Sequence, residues 1–167
     1  MNYQEAASYW ETKDESSVKM ERGELAAEME QFLTAHNVCA LATGCGEFVR
    51  CTPIEYTYWK GSFWLLSEGG LKFQALEKNK NVCVAIYGDS ANFGKLSGMQ
   101  VSGTAEIVEP WSETYLALLA YKKIPADSLR KIPHPLYLIR VRPKRIDMLC
   151  TAFREKGCAV RQHLILQ

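Results

Sequence analysis

The sequence predicts a mainly β protein, a small β-barrel with peripheral helices, and three observations carry that prediction. Short apolar or alternating runs recur through the middle of the chain, two- to four-residue turns separate several of them, and helical periodicity is confined to the start, the middle and the two-thirds point. Strands joined that tightly pair as antiparallel hairpins, because a parallel crossover needs a dozen residues or more. The 167 residues suit a single domain. We divide it into an N-terminal arm (1–20), a core barrel (24–149) and a C-terminal tail (150–167).

Residues 1–20 scatter Tyr3, Tyr9 and Trp10 among charges. They form either a short helix or an arm that docks on another surface. In ELAAEMEQFLTAH, Leu25, Met29, Phe32 and Leu33 make one apolar stripe, and His36-Asn37 stops the helix. Val38–Thr43 is an apolar strand, Gly44-Cys45-Gly46 a turn, and Phe48–Tyr58 an alternating strand. Lys60-Gly61 turns the chain into Phe63–Ser67. Leu71–Asn79 reads as a brief helix, Val82–Tyr87 as a strand apolar at almost every position, and Met99–Glu109 as an alternating one. Pro110 suits the first turn of the helix WSETYLALLAYKK, where its missing N–H costs nothing. KIPADSLRKIPHP is a proline-punctuated connection. Leu136–Arg142 returns as a strand, and Arg145–Cys150 is a candidate for another. Six or seven strands close a barrel that its own side chains fill, so a sizeable ligand would sit outside it or between subunits.

Composition narrows the function. A formal charge of +1 leaves no electrostatic footprint for a nucleic acid or an anionic membrane. No apolar run approaches the ~20 residues of a bilayer span. The polar, acidic start lacks the apolar core of a signal peptide, so a cytoplasmic location is expected. Cysteines at 39, 45, 51, 83, 150 and 158 include no CxxC pair, and free thiols in a reducing compartment are the expectation. Cys39 and Cys83 lie in apolar runs and are expected to be buried. His36, His134 and His163 form no ligand-spaced cluster with the thiols, so no metal site is expected.

One stretch carries chemistry. Ser67-Glu68-Gly69-Gly70-Leu71-Lys72 sets a hydroxyl, two glycines and a lysine between a strand and a helix. A helix opening at Gly70 or Leu71 would point free N–H groups and its dipole at a ligand, and the glycines would let the backbone approach closely. Those are the parts of a phosphate cradle, although the spacing is not that of a Walker loop. They are equally the parts of a capping serine and a solvated surface lysine.

The order of elements adds to this. TAHNVCALAT, a glycine turn, RCTPIEYTYWKGSFWLLSEGGLKFQALEKNKNVCVAI and then QVSGTAEIVE follow one another as in the pyridoxamine 5′-phosphate oxidase-like flavoproteins, which the chain resembles over residues 24–149. The resemblance implies an FMN-binding split β-barrel that works as a homodimer. It implies that Arg50, Cys51, Thr52 and Pro53 line the flavin, and that Leu66, Ser67, Gly70, Leu71 and Lys72 hold its phosphate, with Arg50 a second phosphate ligand. It also implies that Gln100 reaches the ring or the ribityl chain. The tail TAFREKGCAVRQHLILQ lacks the tryptophan and the arginine–leucine–proline signature of the oxidase itself, so the chain resembles the smaller nitroimidazole-resistance and general-stress relatives. The resulting expectation is an FMN-dependent oxidoreductase acting on a small organic acceptor. Cys51, Tyr56 and Tyr87 are candidates near the flavin for proton donation. The alternative is a non-catalytic flavin- or haem-binding storage or sensor protein, with His163 or His134 as the iron ligand.

Overall fold

The computed structural model describes residues 2–88 and 94–166, so part of the loop after Tyr87 lies outside the described residues. The elements run α1 (Tyr3–Glu15), α2 (Arg22–Ala35), β1 (Val38–Cys45), β2 (Phe48–Glu55), β3 (Thr57–Trp59), β4 (Ser62–Ser67), α3 (Lys72–Lys78), β5 (Asn81–Tyr87) and β6 (Ser97–Val108). They continue with α4 (Glu113–Tyr121), α5 (Ala126–Arg130), β7 (Tyr137–Cys150), a 3₁₀ turn at Thr151–Lys156 and β8 (Arg161–Ile165). All strand pairs are antiparallel, in the order β2-β1-β5-β6-β7-β4-β3, with β8 forking off β7.

The two ends of that path are consecutive in the chain. The expected single strand Phe48–Tyr58 breaks at Tyr56, whose ring turns into the core and whose hydroxyl donates to Leu33 O at 2.8 Å. A covalent corner therefore joins β2 to β3 where a closed barrel would carry a ladder. The result is a split β-barrel with peripheral helices.

Its interior is filled by Leu41, Val84, Val101, Ile139, Val141 and Ile146 from the strands, plugged by Leu25, Met29 and Leu33 of α2 and Leu76 of α3. A second cluster lies outside the sheet, where Tyr115, Leu118 and Leu119 of α4 cover Trp64, Val108 and Leu138.

Four sequence readings change here. Pro110 precedes α4 instead of opening it. Trp111 takes a positive φ of 66°, and the Ser112 hydroxyl caps the helix by accepting from Tyr115 N–H. The connection after α4 contains α5. Leu136–Arg142 and Arg145–Cys150 belong to one long strand, β7. Its register against β6 runs from Pro143 opposite Gly103 to Arg145 opposite Ser102, so Lys144 is one extra residue. An extra residue inverts the alternation. The inward positions are odd before it (Ile139, Val141) and even after it (Ile146, Met148). Finally, the tail supplies an eighth strand, β8, whose Leu164 enters the core beside Ile146.

Candidate functional site

At one end of the sheet β2 pairs with β1 alone. Arg50 stands directly across from Thr43 on the inward-facing side. Arg50 is exposed and has no hydrogen bond or ion pair among the described residues. Thr43 is 3% exposed, and its hydroxyl is a buried polar atom with no partner. α3 packs against the same two strands and brings Lys72 into the group. Lys72 is buried at 7% exposure, with its ammonium donating to Gly69 O and sitting 5.4 Å from the Phe73 ring centre. Burial, and after it the nearby Arg50 guanidinium, lower the Lys72 pKa.

A buried ammonium, a guanidinium and an orphaned hydroxyl, with no carboxylate paired to any of them among the described residues, form a positive, donor-rich cluster. Unpaired buried charge is costly, and an anion placed there would offset that cost. The donor set fits a phosphate monoester.

The other residues expected in the cradle divide. Ser67 is a loop builder: its hydroxyl donates to Gly69 O at 3.1 Å and accepts from Gly69 N–H at 3.2 Å. That fold-back holds the Gly69 carbonyl toward Lys72, with Gly69 and Gly70 at φ +127° and +101°, values that favour glycine. A side chain at Gly70 would start 3.7 Å from the Lys72 ammonium. α3 begins at Lys72, later than expected, and the N–H groups of Phe73 and Gln74 are taken by Gly70 O and Leu71 O. Donors from the helix start therefore contribute less than the sequence suggested. Leu71 is exposed, and Leu66 packs into the second cluster, away from the cations.

Cys51 and Pro53 point to the outer face of the sheet, and Thr52 points inward opposite Leu41. Gln100 does not join them. The row across the sheet runs Pro53, Ala40, Ala85, Gln100, Asp147, His163. Three strand spacings put Gln100 about 14 Å from Pro53.

Gln100 belongs instead to a cavity of about 700 Å³ between α1 and the outer face of β5–β8, lined among others by Trp10, Asp14, Tyr87, Arg161 and His163. Asp14 is bound to Lys19 at 2.8 Å and lies 3.8 Å from His163 Nδ1, while Asp147 is held by Arg145. Of the expected proton donors, Tyr87 opens into this cavity and Cys51 is exposed elsewhere on the face. Tyr56 is withdrawn: buried, bonded to Leu33 O, and with its phenol pKa pushed up by burial. His134 is exposed, and no group of three or more metal-ligating side chains occurs among the described residues.

Cys83 also departs from expectation. It lies half-buried on the outer face, while Cys39 alone of the pair is in the core, where burial pushes its thiol up to about 12. Sequence reasoning placed Trp10 only in the arm, and missed Arg161 and the cavity. An indole stranded in a polar segment was the available signal.

The fold is that of a split barrel, and Lys72 and Arg50 gather at its β2 end. The family model described as pyridoxamine 5′-phosphate oxidase matches residues 25–150, and the chain belongs to that family. Solved structures of similar fold include a FAD-binding protein from Mesorhizobium loti, at 19% identity and TM-score 0.60, covering 72% of this chain and 89% of that one. A Clostridium acetobutylicum protein related to general stress protein 26 is 14% identical, with TM-score 0.59 and coverages of 88% and 97%. The haem storage protein HutZ from Vibrio cholerae is 17% identical, with TM-score 0.57 and coverages of 70% and 88%. Curated proteins include no match to the chain.

Proposed function

We propose that the protein binds FMN, with Lys72 and Arg50 on the phosphate, and works as a cytoplasmic oxidoreductase toward a small organic acceptor. The observation that carries this is Lys72: a buried ammonium beside a second cation, held by one backbone carbonyl and, among the described residues, by no carboxylate. Bound flavin would supply the two-electron chemistry. The chain would supply the phosphate contacts, the β2 segment Arg50-Cys51-Thr52-Pro53 beside the ring, and the hydroxyl-organised loop that fixes Lys72.

The same reading calls for a homodimer. The outer face beside β2 carries the small side chains Ala40, Ala42, Cys51 and Cys83 together with Val38 and Val49, which are 56% and 77% exposed. Gln100 lies three strands away from Pro53, on the α1 side of the face, and in a face-to-face dimer a partner would bring it to the flavin. An obligate interface of this kind buries more than ~2,000 Å².

The test is a titration of apoprotein with FMN and with riboflavin, which lacks the phosphate. Lys72→Ala is expected to weaken FMN roughly ten- to a hundredfold, the size of a charge-assisted contact, and to leave riboflavin unchanged. Equal losses for both would sink the phosphate assignment.

A second reading, haem storage or sensing, is favoured by one observation: His163 lines a cavity of about 700 Å³. A haem absorption band that shifts on His163→Ala, in protein that takes up no flavin, would select it.

A further inference from the structure

The helix α1 is an anomaly in an otherwise well-packed chain. None of its side chains is buried, and Tyr3, Tyr9 and Trp10 are 78%, 59% and 55% exposed. Its root is nevertheless fixed. Met20 enters the core, and the Gln162 side chain accepts from Met20 N–H at 3.2 Å and donates to Val18 O at 3.2 Å. Ala159 N–H donates to Val18 O at 2.9 Å. A firmly rooted helix that buries nothing on its own chain is built to bury something elsewhere.

Its position says where. α1 stands on the outer face at the β5–β8 side, where Trp10 shares the cavity with Gln100 and His163. The part of that face toward β2 sets the exposed Val38 and Val49 around the small Ala40, Ala42 and Cys51. A helix is about 10 Å across, so α1 is a wall along one side of a flat floor. Two copies can bring their floors together only if each wall falls beyond the other's β2 edge; walls on the same side would collide. An isologous two-fold pairing meets that condition twice at once. It carries Trp10 and Gln100 of each copy to the partner's Arg50-Cys51-Thr52-Pro53 segment.

We propose that α1 is an arm acting in trans: Trp10 of one protomer covers the flavin ring on the outer face of the other's β2, and the flavin phosphate reaches the same chain's Arg50 and Lys72 around the free edge of that strand. The proposal rests on the flavin reading above and adds to it a residue from outside the matched segment, 25–150. Trp10 is the large flat side chain of the wall, suited to lie against a planar ring.

Subunit complementation tests it. Trp10→Ala homodimers are expected to bind FMN about tenfold more weakly, the scale of a lost aromatic contact, with Trp10→Phe restoring most of the affinity. Folding is not at stake, because the side chain is mostly exposed. Differently tagged Trp10→Ala and Lys72→Ala chains are then co-expressed and the heterodimer purified. Acting in trans, one site combines both intact residues, so the heterodimer shows one wild-type-affinity site per two chains. Acting in cis, every site carries a lesion and none recovers. Absence of a wild-type site in the heterodimer overturns the proposal, as does unchanged affinity in the Trp10→Ala homodimer. A wild-type monomer that holds FMN overturns it while leaving the flavin reading in place. Wild-type protein that binds no flavin overturns both.

Discussion

The outer surface of this sheet is two surfaces. Under α4, the outward residues of β4, β6 and β7 are Trp64, Val108 and Leu138, large and buried. Across β1, β2 and β5 they include the small Ala40, Ala42, Cys51 and Cys83 and the exposed Val38, Val49 and Tyr87. Cover, more than side-chain size, separates the two. A helix packs on a sheet through large residues that fill the gap, whereas the alanines and cysteines of the other region let another flat surface come close. The first region is complete within one chain, and in the proposed dimer the second is finished from outside it.

The contrast can be broken in graded ways. The largest effect is expected from Leu118→Ala in α4, fully buried in the second cluster. It should cost about 2–5 kcal/mol of unfolding free energy, read by urea titration with the dimer population held constant. An unchanged midpoint would mean that α4 is only loosely applied. Next comes Ala42→Arg on the bare floor. Monomer stability should move by no more than about 0.5 kcal/mol, as at a surface site, while association weakens by about a hundredfold or more, measured by sedimentation. A large stability loss with intact association would show this face to be interior.

The smallest effect concerns thiols. Cys51 should label with a maleimide in the native monomer and be protected on dimerisation, and Cys39 should label only after unfolding. The Cys39 thiol keeps its proton to about 12, while an unfolded one releases it near 9. The raised folded-state pKa means that its share of stability is complete below pH 9 and is lost as pH rises toward 12.

Much of this was legible in the sequence, for local reasons. The α2 stripe, the β1–β2 turn and the β4–loop–α3 sequence depend on neighbours a few residues away, and Arg50 and Lys72, both read from motif order, lie close enough for one charge to act on the other. What stayed hidden is non-local. Spatial order places β5 against β1, so residues far apart in sequence form the row Pro53–Ala40–Ala85–Gln100, and no hairpin reasoning reveals its width. Cys83 looked buried because every residue of an apolar strand looks buried; which face has a lid is a tertiary fact. Tyr56 broke a strand because its hydroxyl found a carbonyl in α2. Trp10 carried a hint with no periodicity around it to give the hint direction.

Lys144, the extra residue in β7, bears on how this chain can change over time. Deleting it would rotate the remainder of the strand by half a turn, sending Arg145 and Asp147 into the core and Ile146 and Met148 out. At Gly103, on the opposite strand, an added Cβ would start 2.4 Å from Arg142 O, so the neighbouring position tolerates no side chain without backbone movement. Substitutions along β7 can accumulate one at a time, each judged by its own fit. A change of length there inverts every residue from Arg145 to Cys150 at once. In this strand, residue count is inherited more strictly than residue identity.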